Sequence, residues 1–259
     1  MIPFTYYGDL LGIGCYYKLS PKVAQDKLHE FYNETFHTIR NHVPQNDQNR
    51  IEMFSDSLFV VGTDAVEGLR WLGLLYGNLI RKDLLLRGGM VEGMLSFEPR
   101  VTIVTFEKRL PKDDTLAKAA GLEKSQKGSR LLIENALVER LMETRPEWLT
   151  NEGYIRTKMN NSADDDVLRR IAPTPDSQGY EYLYYWSEGI QRAEFKERSK
   201  HLTKLASLQD SPGKEQVQET AKLIERCEAR FAETNGDPGQ GAGDGRSASR
   251  VSRAPHHGR

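Results

Sequence analysis

Short runs of aromatic and branched apolar residues alternate with longer, helically periodic stretches over the first ninety residues. The runs predict four strands, at Ile2–Tyr7, Arg50–Phe54, Ser57–Val61 and Leu84–Val91. Apolar residues between the first two strands recur at helical spacing, and the Ser-Pro pair before them is a typical helix start. A second helix, capped by Thr63, is predicted between the third and fourth strands.

The predicted order is therefore βαββαβ, which is the ferredoxin-like arrangement. In this topology the first strand and the hairpin of the second and third strands lie side by side in one antiparallel sheet. The expected fold class is α+β, with a ferredoxin-like core and a C-terminal helical extension.

The second half of the chain continues the mixture of strands and helices. Helices are expected at Thr115–Lys124, at Glu134–Met142 and over Ser187–Phe231, with a break at Ser211-Pro212-Gly213. Strands are expected at Val101–Phe106, Arg130–Ile133, Tyr154–Met159 and Tyr180–Trp186. We therefore divide the chain into a main domain over 1–186, a helical extension over 187–234 and a disordered tail over 235–259, which is rich in Gly, Ser and Arg.

Composition narrows the classes of partner and compartment. The formal net charge is -1, which argues against a nucleic-acid binder because phosphate contacts need an excess of Lys and Arg. Apolar stretches are interrupted by charge well short of a membrane span, and no signal pattern opens the chain, so a cytoplasmic protein is expected. Cys15 and Cys227 are too far apart in sequence to suggest a disulfide framework or a zinc site.

Two aspartates stand at the ends of predicted strands. Asp9 lies in Gly8-Asp9-Leu10-Leu11-Gly12, and Asp56 lies at the turn of the predicted hairpin, between Ser55 and Ser57. Because the ferredoxin-like topology brings these strand ends together, the two carboxylates form a hard-oxygen site suited to Mg²⁺ or Mn²⁺. The alternative is that each is an ordinary turn aspartate.

The segments around these aspartates resemble the metal-binding segments of class III nucleotidyl cyclases, and Leu84–Gly93 resembles the fourth strand of that family. Within the superfamily the chain is most similar to the pyrimidine cyclases of Pycsar antiphage defence. That similarity also covers Leu122-Glu123, Ser129–Ile133 and the aromatic segment Tyr180–Trp186.

The resemblance implies an enzyme that converts UTP into cyclic UMP and pyrophosphate, the cyclic nucleotide then activating a separate effector during phage infection. It implies two divalent ions, Mn²⁺ or Mg²⁺, held by Asp9, Asp56 and the backbone carbonyl of Leu10. It also implies a homodimer. Two alternatives remain open, namely a cyclase for CTP or then GTP, and a non-catalytic nucleotide-binding or dimerisation module of the same fold.

Base selection is expected from the second strand. The resemblance places Glu52 against the base, and Arg50 lies on the same face, where it can donate to a carbonyl oxygen. Phe4 on the adjacent strand is expected to pack on the base. The alternative is a surface Arg–Glu pair beside a core phenylalanine, and Glu at this position also resembles guanylyl cyclases.

One departure from the family pattern is clear. Class III cyclases carry an Asn and, four residues later, an Arg on the helix after the fifth strand, where this chain has roughly Ala117 and Gly121. The nearby candidates for a substitute cation are Lys108, Arg109 and Lys118, although such residues are more often solvated surface charges. Arg87 is interpreted as structural.

Overall fold

The computed structural model describes residues 1–44, 49–98, 101–103, 106–108, 110–143, 167–168, 170–185, 192–208 and 213–234. The predicted strand Tyr154–Met159, Trp186 and the tail over 235–259 lie outside these residues, so the division of the chain into domains stays a prediction.

The first ninety residues form the predicted ferredoxin-like unit. It consists of the strands and helices β1 (Phe4–Leu10), α1 (Ile13–Leu19), α2 (Pro21–His42), β2 (Asn49–Phe54), β3 (Ser57–Gly62), α3 (Ala65–Arg81) and β4 (Leu86–Glu92). The strands lie in the order β2-β3-β1-β4, and each neighbouring pair is antiparallel. This order is that of a ferredoxin-like βαββαβ unit, so the α+β fold class is confirmed. The short helix α1 was not predicted.

The helix starts differ in detail from the sequence prediction. Pro21 is the first residue of α2 as expected, but Ser20 makes no capping hydrogen bond with its side chain. The cap of α3 is Asp64 and not Thr63, because the Asp64 carboxylate accepts hydrogen bonds from the backbone N–H groups of Val66 and Glu67.

The rest of the chain widens this sheet. After β4 come β5 (Val101–Ile103), β6 (Phe106–Lys108), α4 (Thr115–Ser125), β7 (Leu131–Ile133), α5 (Asn135–Glu143), β8 (Ile171–Pro173) and β9 (Tyr180–Tyr182). The sheet order becomes β2-β3-β1-β4-β7-β9-β8. The four core strands pair antiparallel as predicted, whereas the added strand β7 pairs with β4 in parallel after the α4 crossover.

Two strand predictions need correction. Val101–Phe106 is not one strand, since β5 and β6 pair as a separate antiparallel hairpin. The strand predicted at Tyr180–Trp186 is shorter in the structure, where β9 ends at Tyr182. Beyond it the Tyr184 N–H donates to the Tyr182 carbonyl at 2.9 Å, which is not a sheet hydrogen bond.

The predicted C-terminal helices are present as α6 (Arg192–Leu208) and α7 (Gly213–Thr234). Phe195 of α6 and Leu223 and Ile224 of α7 belong to the same buried apolar cluster as the sheet residues. No helix in the described part of the chain is long and apolar enough to cross a membrane. Cys15 is exposed, Cys227 is buried, and both are free.

The two faces of the sheet differ. Phe4, Tyr6 and Leu10 of β1 point to the face packed by α3, and all three are buried. Thr5, Tyr7 and Asp9 point to the other face, since side chains alternate along a strand. Helix α4 covers part of this second face, and a Cβ added at Gly89 would lie 2.6 Å from the Ala119 carbonyl oxygen.

Candidate active site

Asp9 is the penultimate residue of the central strand β1. It lies directly opposite Ser57 on β3 and Arg87 on β4, so these three side chains share one face of the sheet. Asp56 belongs to the two-residue turn that joins β2 to β3, and its carbonyl accepts a hydrogen bond from the Leu10 N–H at 2.8 Å. The structure therefore brings the two predicted acids to the same edge of the sheet.

The turn that presents Asp56 depends on one residue of positive φ. Ser55 has φ of 54°, in the left-handed region that a two-residue hairpin turn requires. Only residues that tolerate this region are suitable there, which explains why small polar residues join the two strands. The sequence signal that indicated a hairpin is confirmed.

The Asp9 carboxylate lies in an unfavourable electrostatic environment. Partial burial and the charge of Asp56 raise its pKa to about 6, in spite of a hydrogen bond that Ser57 Oγ donates to Asp9 Oδ1 at 3.2 Å. The Tyr7 and Ser57 hydroxyls are 3.3 Å apart, so a short polar chain leads to the acid. Ser57 and Tyr7 were not predicted, although their position opposite and two residues before Asp9 could have identified them.

Arg87 faces Asp9 from the next strand but is paired elsewhere. Its Nε donates to Glu123 Oε1 of α4 at 2.5 Å, and its Nη1 lies 3.4 Å from the Gln126 carbonyl oxygen. The side chains of Arg87 and Glu123 are only 15% and 2% exposed. Glu123 thus neutralises Arg87, and within the described residues no lysine or arginine forms an ion pair with Asp9 or Asp56.

The backbone around Asp9 is supported from below by a tyrosine. Gly8 and Gly88 lie opposite each other on β1 and β4, and the Tyr6 ring lies directly under both. A methyl group at either glycine would overlap the Tyr6 hydroxyl. That hydroxyl is buried and 2.9 Å from the Tyr76 hydroxyl of α3. Glycine is required at both positions for close approach, not for a positive φ.

The two predicted base-selecting residues of β2 lie together on the face that carries Asp9. The strand register aligns Glu52 with Phe59 and, beyond it, with Tyr7. Arg50 Nε donates to Glu52 Oε1 at 2.8 Å, and the Arg50 guanidinium is 5.3 Å from the centre of the Phe97 ring. Their side chains are 51% and 42% exposed. Glu52 and Arg50 therefore offer an adjacent acceptor and donor that a ligand can reach.

Phe4 does not lie with them. Its ring is fully buried on the opposite face of the sheet, against Gly68 of α3, where an added Cβ would be 2.5 Å from the ring. The expectation that Phe4 packs on a base is contradicted, because alternation along β1 places Phe4 and Asp9 on opposite faces. Phe4 is a core phenylalanine, which was the alternative to a role in base binding.

Helix α4 carries no cation at the two positions of interest. Ala117 and Gly121 are exposed, and nothing lies within 4 Å of a Cβ added at Gly121. Lys118 is exposed and forms an ion pair at 3.2 Å with Asp114, the residue that precedes α4. The side chain of Lys108 and all of Arg109 lie outside the described residues.

The donor set at this edge is small. The described residues contain no group of three or more His, Cys, Asp and Glu side chains able to hold a metal ion. The site offers two carboxylates whose mutual repulsion disfavours ionisation of Asp9, and the backbone of Leu10 lies between them. Such a pair fits a hard divalent cation, because a cation removes the repulsion between the two carboxylates. Backbone, water or ligand oxygens would complete its coordination.

Known proteins resemble the chain in structure only. No family model and no curated protein sequence matches it. Adenylyl cyclase CyaB from P. aeruginosa shares 15% identity over 60% of this chain and 89% of its own, with a TM-score of 0.46. The guanylyl cyclase Cya2 shares 14% identity over 62% of this chain and 86% of its own, with a TM-score of 0.44. An adenylate cyclase from Trypanosoma brucei shares 12% identity over 74% of this chain and 92% of its own, with a TM-score of 0.46.

All three TM-scores lie below 0.5. The likeness therefore adds nothing to the fold assignment, which depends on the strand order and register alone.

Proposed function

We propose that this protein is a divalent-metal-dependent nucleotidyl cyclase that converts UTP into 3′,5′-cyclic UMP and pyrophosphate. The observation that carries the proposal is the pair Asp9 and Asp56, which reach one edge of a ferredoxin-like sheet from different strands. The resemblance of these segments to class III cyclases supports the same assignment.

The charges around the pair favour a cation. Arg87 is paired with Glu123, and no lysine or arginine among the described residues forms an ion pair with Asp9 or Asp56. A divalent ion offsets two negative charges, and a nucleoside triphosphate brings further oxygens to complete its coordination. Asp9, Asp56 and the Leu10 carbonyl would hold two such ions, Mn²⁺ or Mg²⁺.

When bound, the ions would lower the pKa of the ribose 3′-hydroxyl and offset the charge of the triphosphate. The protein contributes the positions of the ligands. Ser57 donates to Asp9 Oδ1 and fixes the orientation of that carboxylate, while the Asp56 carbonyl is held by the Leu10 N–H. The 3′-oxygen attacks the α-phosphorus, its proton leaves to solvent or to a phosphate oxygen, and pyrophosphate departs in line.

The Arg50–Glu52 pair supports a pyrimidine substrate. The Glu52 carboxylate can accept from N3–H of uracil while Arg50 donates to a neighbouring carbonyl oxygen. The same two groups can instead accept from the N4 amine of cytosine and donate to its ring acceptors, so CTP is the second candidate. GTP follows, because a carboxylate also accepts from N1–H and the N2 amine of guanine.

A homodimer in which a second copy completes the site is part of the proposal, as the resemblance to class III cyclases implies. Phe54, 79% exposed beside the Arg50–Glu52 pair, is an apolar side chain that such a copy would cover. In the proposed setting the cyclic nucleotide activates a separate effector in defence against phage, as the resemblance to Pycsar cyclases implies. The non-catalytic alternative predicts nucleotide binding without product.

The test is to incubate the purified full chain with ATP, GTP, CTP and UTP separately, each with Mn²⁺ and with Mg²⁺, and to identify products by mass spectrometry. Cyclic UMP and pyrophosphate are expected from UTP. The same reaction with Asp9→Asn is expected to give none, while Asp26→Asn, which removes an exposed carboxylate from α2, retains activity. A lack of cyclic product from all four nucleotides would reject the cyclase, and product from CTP alone would correct the base.

A further inference from the structure

Helix α7 makes a series of side-chain hydrogen bonds to one turn of the main domain. The Gly128 N–H donates to Gln216 Oε1 at 2.6 Å, and the Ser129 N–H donates to Thr220 Oγ1 at 2.8 Å. Arg130 Nη2 lies 3.2 Å from Glu219 Oε2. Three consecutive residues of the turn before β7 are thus held by consecutive turns of α7.

The approach between the two backbones is close. Gly128 has φ of 88°, and a Cβ added there would lie 2.9 Å from Glu219 Cβ and 3.0 Å from the Thr220 nitrogen. A side chain at this position would separate α7 from the turn, so glycine is needed for both conformation and space. The conformation of the turn at Gly128 thus allows α7 to pack directly against it.

The same turn supports the strand that faces the candidate active site. Gly88 N–H donates to the Arg130 carbonyl at 2.9 Å, and Ser129 Oγ donates to the Leu86 carbonyl at 2.7 Å. These two bonds flank Arg87, whose guanidinium also contacts the Gln126 carbonyl at 3.4 Å. The segment Gln126–Arg130 therefore contacts β4 on both sides of the residue that lies opposite Asp9.

A buried polar chain continues from the turn to the floor of the site. The Tyr76 hydroxyl donates to the Arg130 carbonyl at 3.1 Å and lies 2.9 Å from the Tyr6 hydroxyl under Gly8 and Gly88. The Tyr184 hydroxyl donates to the Ser129 carbonyl at 2.9 Å from the other side. Every link of this chain is buried, which leaves little freedom for β4 to move independently of the turn.

We propose that helix α7 positions Arg87 and strand β4 opposite Asp9 through the Gln126–Arg130 turn, so that Gln216 and Thr220 are positioning residues of the site. The proposal rests on the proposed function only for its catalytic consequence. The physical coupling between α7 and β4 is a separate claim and is tested separately. The C-terminal extension is then part of the catalytic unit.

The test compares Thr220→Val with Ser199→Ala in the full chain. Thr220→Val keeps the shape of the side chain and removes the acceptor of the Ser129 N–H. Ser199→Ala is the matched control, since it removes one hydroxyl between α6 and α7, which donates to Glu225 Oε1 at 2.9 Å and does not contact the turn. Gln216→Ala, at a partly exposed position, is the second variant in case Thr220→Val does not fold.

Two measurements are made on each protein. Hydrogen exchange of the peptide that covers β4 is expected to accelerate about tenfold in Thr220→Val and Gln216→Ala and to stay unchanged in Ser199→Ala. In the nucleotide assay kcat is expected to fall about tenfold with KM within about twofold of wild type, because the positioning residues do not touch the nucleotide.

The outcomes separate the two claims. If exchange in β4 is the same in Thr220→Val and Ser199→Ala, the coupling is overturned whether or not the protein is an enzyme. Faster exchange with unchanged kcat in an active enzyme overturns the catalytic consequence. If wild type forms no product from any nucleotide, the proposed function fails, and the exchange measurement still decides the coupling.

Discussion

The molecule contains two clusters of charged residues, one that brings like charges together and one that pairs opposite charges. At the edge of the sheet, Asp9 and Asp56 place like charges together on a partly exposed surface. Behind β7, Glu181 is fully buried between Arg130 and Arg226, and Arg130 Nη1 donates to Glu181 Oε2 at 2.5 Å. Both clusters contain carboxylates, but only the second contains their counter-ions.

This difference indicates which cluster acts on a ligand. Burial of an ion pair is tolerated when every charge has a partner, and the Glu181 cluster meets that condition with protein groups alone. At the first cluster, burial and the charge of Asp56 raise the pKa of Asp9, and the hydrogen bond from Ser57 and the charge of Arg87 offset this only in part. A bound cation would relieve this repulsion, which supports the proposal that the first cluster acts on a ligand and the second stabilises the fold.

The largest effect is expected when the Asp9–Asp56 pair is disrupted. Asp56→Asn keeps the shape of the turn but removes half of the negative charge, and turnover of the favoured nucleotide is expected to fall by about 10³-fold or more. The circular dichroism spectrum is expected to be unchanged, since Asp56 is outside the core. Steady-state kinetics at saturating Mn²⁺ measure the effect. Retention of more than about a tenth of wild-type kcat would contradict the metal-ligand role.

Breaking the second cluster is expected to affect folding and not chemistry. Glu181→Gln removes the carboxylate that buried Arg130 shares with half-buried Arg226, which is expected to cost about 3 kcal/mol of unfolding free energy because Arg130 keeps only Glu219 as a charged partner among the described residues. Urea denaturation measures the loss. Glu225→Gln, at an exposed position of α7, is the control and is expected to stay within about 0.5 kcal/mol of wild type. Equal stability of both variants would show that the cluster is not structural.

A smaller effect is expected at the exposed ion pair of β2. Glu52→Gln is expected to raise KM for UTP by about tenfold and to reduce the preference for UTP over the other nucleotides, because an amide cannot replace the carboxylate as an acceptor on both oxygens. Its melting temperature is expected to match wild type, since exposed pairs stabilise little. Unchanged ratios of kcat/KM among the four nucleotides would remove Glu52 from base selection.

The smallest expected effect concerns stability without metal. Because the folded-state pKa of Asp9 is raised from 3.8 to about 6, its contribution to stability is present below about pH 4 and is lost as the pH rises through 6. Asp9→Asn cannot ionise, so in EDTA at pH 7 it is expected to be more stable than wild type by about 1 kcal/mol, after allowance for solvent screening of this half-exposed group. At pH 4 the two proteins are expected to unfold together.

Much of this arrangement could be predicted from local sequence patterns. The periodicity of Phe4–Glu92 and the turn at Ser55-Asp56 are local signals, and they were sufficient for the strand order that brings Asp9 and Asp56 to one edge. Phe4 shows where such signals stop. Phe4 lies five residues before Asp9 on β1, and because side chains alternate along a strand the two point to opposite faces.

The features that could not be predicted depend on contacts between distant segments. Glu123 pairs with Arg87 across 36 residues, and Arg130 pairs with Glu181 across 51. Each of these charged residues looks like a solvated surface group in the sequence, and only the packing of α4 and β9 buries them. The parallel pairing of β7 likewise follows from the α4 crossover, which no short window contains.

The tyrosine beneath Gly8 and Gly88 restricts how this sequence can change over time. A larger residue at either glycine overlaps the Tyr6 ring, so it becomes acceptable only after Tyr6 has been exchanged for something smaller. Loss of the Tyr6 ring first would leave a cavity under two unsupported glycines. A substitution at Gly8 or Gly88 therefore depends on an earlier change at Tyr6, and that first change itself reduces stability through the cavity that it leaves.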